Sequence, residues 1–357
     1  GNVYSYEITN TDLPKSSLKA PRILKEFTIT VPSYEWVEWI EGIAAGNFDE
    51  DPKPELVAHI EGEGGVRIIA FDPEANSTIL WTNTDPSPIA DMAVGDLNND
   101  GIDDVVVSDS IGIVYAINGS DGTQLWSFTF PPLAQGSWLI SPLAIGDLNG
   151  DGSNDVVVTV SVVGIVVAAP PPTQIYAFDG INGASLWPSP ISVHFVTGLS
   201  VGNLTGDGIA DVVATTFNGK VCAFNGTDGR LLWMFSDLDM DSIPAPAVVD
   251  LNKDGIDDVA VAGSSIFALN GLDGSEIWNS TRVRGVASAT LAADFNGDGN
   301  SDVVAAYYLD SSYILAVDGS NGETLWSYNR PRYRSYDLDV DFNESYVASL
   351  YKDLTLE

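Results

Sequence analysis

The chain repeats one acidic stretch, and its first complete copy is Asp96-Leu-Asn-Asn-Asp-Gly-Ile-Asp-Asp104. Side-chain oxygens stand at positions 1, 3, 5 and 9 of this loop, and the glycine at position 6 permits a sharp turn. Oxygen ligands at this spacing suit Ca²⁺, with the main-chain carbonyl of position 7 as a further ligand. An EF-hand requires a glutamate at position 12, where this chain has Val107 within a β-branched run. The stretch therefore predicts a calcium loop between two β-strands and excludes EF-hand and dockerin arrangements.

Four further copies of the loop follow, and each leads into a short run of residues typical of a β-strand. Five copies in the same register make chance a poor explanation, so solvated acidic turns are the weaker interpretation. The predicted ligand positions are Asp96, Asn98, Asp100, Ile102 and Asp104; Asp147, Asn149, Asp151, Ser153 and Asp155; Asn203, Thr205, Asp207, Ile209 and Asp211; Asp250, Asn252, Asp254, Ile256 and Asp258; and Asp294, Asn296, Asp298, Asn300 and Asp302.

A degenerate copy precedes these five loops. Its ligand positions hold Asn47, Asp49, Asp51, Lys53 and Glu55. Pro52 stands where the other loops have glycine, and proline cannot adopt a positive φ. The degenerate loop is therefore only a weak candidate for a sixth calcium site. A last copy, Asp337–Ser345, lacks both the glycine and the final carboxylate, so no strong site is expected there.

A second repeat follows each calcium loop. After the loop Asp96–Asp104 it reads Tyr115-Ala-Ile-Asn-Gly-Ser-Asp-Gly-Thr-Gln-Leu-Trp126. This pattern predicts a strand, a Gly-rich hairpin turn and a strand that ends in tryptophan. The tryptophans are predicted to pack between neighbouring units rather than to contact a ligand. The related stretches are Ile69–Trp81, Tyr176–Trp187, Cys222–Trp233, Phe267–Trp278 and Leu315–Trp326.

The spacing of the loops predicts the architecture. They begin at residues 96, 147, 203, 250 and 294, and a period near 50 with four short strands is typical of a β-propeller blade. We predict one all-β domain over residues 1–357, a seven-bladed β-propeller with four antiparallel strands per blade. The seventh blade combines about 330–357 with 1–30, because either half by itself leaves an open sheet edge. Strand exchange between chains, which would build filaments, is the less favoured alternative.

Composition narrows the function classes. A formal charge of −35 excludes a general binder of nucleic acid or anionic membranes. No apolar run is long enough to span a bilayer. The single cysteine, Cys222, excludes a disulfide framework and is expected to be a buried structural thiol. The chain begins at Gly1 without a signal peptide, which fits a mature secreted product located outside the cell or on its surface.

The loop repeats resemble a known family. Val94-Gly-Asp-Leu-Asn-Asn-Asp-Gly-Ile-Asp-Asp-Val-Val-Val107 and its four sister copies are similar to the FG-GAP (VCBS-type) repeats of integrin α-subunit heads and of many secreted microbial proteins. This resemblance implies a calcium-stabilised propeller, usually extracellular, and does not identify a partner. The turn–tryptophan repeats also resemble those of quinoprotein propellers, but the adjacent cysteine pair common at their cofactor sites has no counterpart in this chain.

A partner-binding face is predicted opposite the calcium loops. Loops and Gly-rich turns should lie on one face, and the irregular links between blades on the other. These links contain aromatic residues and arginines, which are enriched at binding hot spots. The alternative is that the aromatics cap the core and the arginines pair with acids. The predicted contacts to a protein, a glycan or further copies of the chain are Trp36, Trp39, Trp138, Arg282, Arg284, Arg330, Arg332 and Arg334.

Catalysis finds little support in the sequence. The two histidines, His59 and His194, lie in different repeats, and His194 is expected to be packed beside Phe195. A non-catalytic adhesion, ligand-binding or surface-assembly module is therefore preferred, and a calcium-dependent polysaccharide lyase is the alternative. Asn203 lies in a glycosylation sequon but is preferred as a metal ligand. The remaining sequons mark candidate N-glycan sites at Asn76, Asn118, Asn225, Asn279 and Asn343.

Overall fold

A computed structural model describes residues 37–331, except for residues 50–52, 63–64, 73–77, 85–88, 134–135, 164–171, 237, 239–243, 284 and 309–310. Over these residues the chain forms 24 β-strands in six four-stranded antiparallel sheets. Within each sheet the strands follow one another in chain order, as expected of a propeller blade. We number these sheets as blades 1–6. Nothing helical among the described residues has the length and apolar character of a bilayer span.

The strands are as follows. Blades 1 and 2 contain β1 (Val37–Gly46), β2 (Glu55–Gly62), β3 (Gly65–Asp72), β4 (Thr78–Asn83), β5 (Ile89–Gly95), β6 (Asp104–Asp109), β7 (Ile113–Ile117) and β8 (Gln124–Thr129). Blades 3 and 4 contain β9 (Ser137–Gly146), β10 (Asp155–Val163), β11 (Thr173–Phe178), β12 (Ile191–Val193), β13 (Val196–Gly202), β14 (Asp211–Thr216), β15 (Val221–Phe224) and β16 (Leu231–Phe235). Blades 5 and 6 contain β17 (Ala247–Val249), β18 (Asp258–Ala262), β19 (Ile266–Leu269), β20 (Glu276–Asn279), β21 (Val286–Ala293), β22 (Asp302–Tyr308), β23 (Ser311–Val317) and β24 (Thr324–Pro331).

The blades pack face to face around their first strands. The first strands of successive blades, from β1 and β5 to β17 and β21, contact one another, so they form the inner ring. The second strands are buried on both faces: every residue of β6, β14 and β18 is buried. A strand covered on both sides has no polar face, which explains why these segments are runs of valine and alanine rather than alternating sequences.

The repeated tryptophans join neighbouring blades, as predicted. The indole N–H of Trp126 in blade 2 donates a hydrogen bond of 2.6 Å to the carbonyl of Gly180 in blade 3. The apolar ring is thereby buried, and its N–H is hydrogen-bonded, at an interface between two blades. The same bond recurs for Trp81 to Gly119, Trp187 to Gly226, Trp233 to Gly271 and Trp278 to Gly319.

Blade 3 departs from the predicted strand pattern. The segment that ends at Trp187 was expected to be a strand, but it contributes only an isolated bridge between Phe178 and Ser185. Pro188 and Pro190 follow directly, and proline supplies no N–H to a sheet ladder. The fourth strand of this blade therefore begins later, as the three-residue β12.

The predicted seventh blade lies outside the described residues. Residues 1–30 and 332–357, which were expected to form most of it, fall there, so the count of seven blades and the closure remain predictions. Within the described part of the chain, six blades are present.

Candidate metal-binding loops

The acidic loops connect the first and second strands of their blades, and their side chains bind their own backbone. Asp96 accepts hydrogen bonds from the N–H groups of Asn99 at 2.7 Å and Gly101 at 3.0 Å. Asn98 accepts one from Asp100, which in turn accepts one from Ile102. Gly101 has a φ of +85°, which explains the glycine at position 6. These bonds hold the side chains at positions 1, 3 and 5 against the loop, and each carboxylate keeps further lone pairs for a cation.

The same bonding recurs in other loops. The aspartate at position 1 accepts a hydrogen bond from the N–H of position 6 in three further loops, through Asp147, Asp250 and Asp294. The predicted ligand positions therefore share local geometry as well as sequence.

The aspartate at position 9 has a role that the sequence did not reveal. Asp104 is fully buried, and its carboxylate accepts hydrogen bonds from the N–H of Leu97 at 3.0 Å and of Gly119 at 2.9 Å. Gly119 belongs to the hairpin turn between the third and fourth strands of blade 2. One carboxylate thus joins the acidic loop to the Gly-rich turn, which confirms that both lie on the same face.

This link is repeated around the propeller. In each of the other four complete loops the position-9 aspartate accepts the same two hydrogen bonds. One comes from the N–H of position 2 of its own loop, and the other comes from the N–H of the turn glycine. The pairs of aspartate and turn glycine are Asp155 with Gly180, Asp211 with Gly226, Asp258 with Gly271 and Asp302 with Gly319. The degenerate loop keeps half of the arrangement, because Glu55 accepts the N–H of Phe48 at 2.7 Å.

Burial and neighbouring charges perturb these aspartates. Burial raises the pKa of Asp104, Asp155 and Asp258 to about 6, and it raises the pKa values of Asp211 and Asp302. In blade 2 the charges of Asp96 and Asp100 raise the pKa of Asp104 further, against the lowering effect of its two hydrogen bonds. A bound cation would offset this repulsion between the carboxylates of one loop.

The loop of blade 4 provides a separate test of whether a cation fits. The side-chain oxygen Oδ1 of Asn203, at position 1, is buried and has no hydrogen-bond partner among the described residues. An unpaired buried amide oxygen costs about 1–3 kcal/mol, and a cation bound in the loop would satisfy it. The donor set of amide, carboxylate and main-chain oxygens suits calcium. In the described part of the chain, no three His, Cys, Asp or Glu side chains form a metal-binding group by themselves.

Neighbouring loops are also bonded to one another. The N–H of Asn154, at position 8 of the blade 3 loop, donates to the carbonyl of Asp96, at position 1 of the blade 2 loop. The same bond joins Asp103 to Asn47, Ala210 to Asp147 and Asp257 to Asn203. The loops of blades 1–5 therefore form one hydrogen-bonded row.

The degenerate loop stays a weak candidate. Its Asp51 and Pro52 lie outside the described residues, whereas Lys53 is exposed. The N–H of Asn47 donates to the Asp103 carboxylate of the next loop at 2.9 Å.

The predicted partner-binding residues are only partly described. Trp138 is half-buried and packs against Gly112 of the preceding blade and against Phe130, with 5.7 Å between the ring centroids. Arg282 is exposed. The side chains of Trp36, Trp39, Arg284, Arg330, Arg332 and Arg334 fall outside the described part of the chain. The partner face therefore stays a prediction.

The sequons occupy different environments. Asn118 and Asn225 are half-buried in Gly-rich turns, and Asn118 accepts the N–H of Ser120 at 2.8 Å. Asn279 is exposed at the end of β20. Asn76 and Asn343 lie outside the described residues, and glycosylation remains a prediction at all five positions.

The prediction that His194 is packed is wrong. His194 is exposed, and Phe195 is 41 % exposed with its ring 6.5 Å from that of Phe217. Both residues lie in the link between β12 and β13, where the carbonyl of Phe195 accepts a hydrogen bond from the N–H of Phe217 in blade 4. Cys222, in contrast, is buried as expected.

Comparisons with known proteins agree with the repeats and the fold. Residues 96–158 match the model of the FG-GAP-like repeat, and residues 153–327 match a model described as outer membrane protein assembly factor BamB. Protein FAM234B of Homo sapiens is 32% identical over 142 residues, which cover 36% of this chain and 22% of that protein. Tetrathionate hydrolase of Acidianus ambivalens is 30% identical over 117 residues, which cover 32% of this chain and 21% of the enzyme. The chain thus spans about a fifth of the length of these curated relatives.

Two solved structures have a similar fold at 14% sequence identity. BBS1N, crystallised in complex with ARL6DN, aligns with a TM-score of 0.54 over 81% of this chain and 82% of its own. Sqt1 of Saccharomyces cerevisiae aligns with a TM-score of 0.57 over 77% of this chain and 71% of its own. The repeated loops, the six four-stranded blades and these matches show a β-propeller fold that contains an FG-GAP-like repeat over residues 96–158.

Proposed function

We propose that this chain is a calcium-stabilised, non-catalytic propeller module that acts outside the cell and binds a protein, a glycan or further copies of itself. The observation that carries the calcium part is the set of five loops with the same oxygen spacing, one of which buries the unpaired Oδ1 of Asn203. Side-chain oxygens of positions 1, 3, 5 and 9 and the main-chain carbonyl of position 7 would hold the ion.

The proposed role of calcium is structural. A bound ion supplies positive charge among carboxylates that otherwise repel one another. The position-9 aspartates and the bonds between neighbouring loops connect each loop to its own turn and to the next blade. A calcium ion that orders one loop would therefore stabilise the packing between two blades, and not only a single turn.

A single-loop variant tests the assignment of ligands. Asp100→Ala should remove one calcium ion per chain and leave the other loops filled, because Asp100 contributes only to the loop of blade 2. The readout is the calcium content after desalting, measured by elemental analysis. Asp121→Ala is the matched control, since Asp121 is a carboxylate of the turn in the same blade and bonds only Thr123 there. Equal calcium content in the two variants would contradict the assignment.

The partner part of the proposal rests on the arginine-rich links. A protein is supported as partner by the neighbour BBS1N, which was crystallised in complex with ARL6DN. Replacing Arg330, Arg332 and Arg334 together with serine should weaken binding to a glycan array or to immobilised copies of the chain by about tenfold, because arginines are common hot-spot residues. Its thermal stability should change little. Binding that survives this change and is lost in the Asp100→Ala variant would place the interface on the calcium face instead.

An enzymatic function is the alternative, and the local similarity to tetrathionate hydrolase is the observation in its favour. Two assays test it directly. Loss of tetrathionate would indicate a hydrolase of that kind. Ultraviolet absorbance from an unsaturated uronate product would indicate the polysaccharide lyase considered from the sequence.

A further inference from the structure

A groove of about 390 Å³ runs along the outer edge of the propeller between blades 3 and 4. It lies beside β12 on one side and β15 and β16 on the other, where the two prolines shorten the fourth strand of blade 3. The apolar side chains of Ile191, Val193, Leu231 and Met234 line it. Leu231 and Met234 are 50% and 51% exposed, so they add accessible apolar surface to the groove. The volume lies within the range of small-molecule sites, roughly 300–1,000 Å³.

The charge of the groove is opposite to that of the protein. The whole chain has 50 acidic and 15 basic residues, whereas none of the described residues that line this groove is an aspartate or a glutamate. Its charged and titratable polar side chains are Lys220 and His194. Lys220 is half-buried and lies in the turn between β14 and β15, where its N–H donates to the hydroxyl of Thr216 and its carbonyl accepts the N–H of Thr216. Lys220 lines the groove together with Cys222, which lies two residues further along the chain.

We propose that this groove binds a small amphipathic anion, such as a medium-chain carboxylate. The apolar chain of the ligand lies against Ile191, Val193, Leu231 and Met234, and its carboxylate is bound by Lys220 and His194. Apolar burial supplies affinity, and the cationic side chains supply selectivity. Because the net charge of −35 repels anions at long range, a preference for an anion must come from groups in the groove itself. The site is separate from the calcium loops and does not depend on the proposed function.

Decanoate is the probe, and decyltrimethylammonium, with the same chain length and the opposite charge, is its matched counterpart. Isothermal titration of the full chain should show decanoate binding at one site, with the cation binding at least about tenfold more weakly. Lys220→Gln should weaken decanoate binding by about tenfold or more, since a hydrogen bond to a charged group is lost. Tighter binding of the cation, or no decanoate binding at all, would overturn the proposal.

Three further variants separate the groove from general charge effects. Lys253→Asn removes a positive charge elsewhere and should leave decanoate binding unchanged; Lys253 has a φ of 62°, and Asn99 takes the same backbone conformation at the equivalent position with a φ of 61°. Leu231→Ser and Met234→Ser alter exposed positions, and each should weaken decanoate binding without unfolding the protein. Equal affinity in Lys220→Gln and Lys253→Asn would show that the binding does not use the groove.

Cys222 supplies an independent readout because it lines the groove and is the single cysteine of the chain. Saturating decanoate should slow its alkylation by N-ethylmaleimide several-fold in the native protein. In the Lys220→Gln variant the same decanoate concentration should protect Cys222 less against alkylation. Protection that is equal in the two proteins would contradict a carboxylate bound at Lys220.

Discussion

Removal of calcium is expected to lower the free energy of unfolding by several kcal/mol. Extracellular calcium modules have dissociation constants of roughly 10⁻⁴–10⁻³ M, so at about 10 mM calcium each loop should contribute about 1.4–2.7 kcal/mol. Because calcium is expected to bind these loops only in the folded state, the contributions of the five loops should add. Thermal unfolding in calcium and in EDTA measures the difference.

The control for this experiment concerns general electrostatics. A net charge of −35 destabilises the compact state through self-repulsion, and any salt screens it. Sodium chloride at matched ionic strength should therefore stabilise the EDTA-treated protein less than calcium does. Magnesium should also be less effective, because it demands a near-ideal octahedral site and is dehydrated reluctantly. Identical melting curves in calcium and in EDTA would exclude the calcium loops as a source of stability.

The second large effect is expected for Gly271→Ala. A Cβ atom at this position would lie 1.8 Å from the main-chain carbonyl oxygen of Asp257. The turn would have to move, and Gly271 would lose two hydrogen bonds together. One runs from its N–H to the Asp258 carboxylate, and the other runs from the Trp233 indole N–H to its carbonyl. We expect a loss of about 3–5 kcal/mol, the range of severe core substitutions, measured by urea unfolding.

Gly263→Ala is the matched control for this variant. Gly263 is also buried in blade 5, but the nearest atom to an added Cβ is a Leu238 side-chain carbon at 3.5 Å, which is ordinary van der Waals contact. Its stability should change by less than about 1 kcal/mol. Similar losses in the two variants would mean that the close approach to the Asp257 carbonyl does not limit this position.

Much of the architecture followed from local sequence patterns. The loop from Asp96 to Asp104, its four copies and the turn–tryptophan repeats predicted the strands, the hairpins and the packing of Trp126 between blades. These features depend on residues within one repeat, whose spacing encodes turn geometry and strand alternation. Pro188 and Pro190 were also visible, and a stricter application of the rule against proline in strands would have predicted the break in blade 3.

The features that only the tertiary structure decided involve residues from different parts of the chain. Asp104 was predicted as a calcium ligand, but its bond to the turn glycine Gly119 depends on the pairing of three strands. The first glycine of each turn was predicted only as a hairpin residue, whereas this position also lies too close to a loop carbonyl for any side chain; these glycines are Gly119, Gly180, Gly226, Gly271 and Gly319. The groove at Lys220 forms between two blades, and no single stretch of sequence contains its lining residues. Local spacing determines which elements form, and the approach of one blade to the next determines which side chains become buried, shared or exposed.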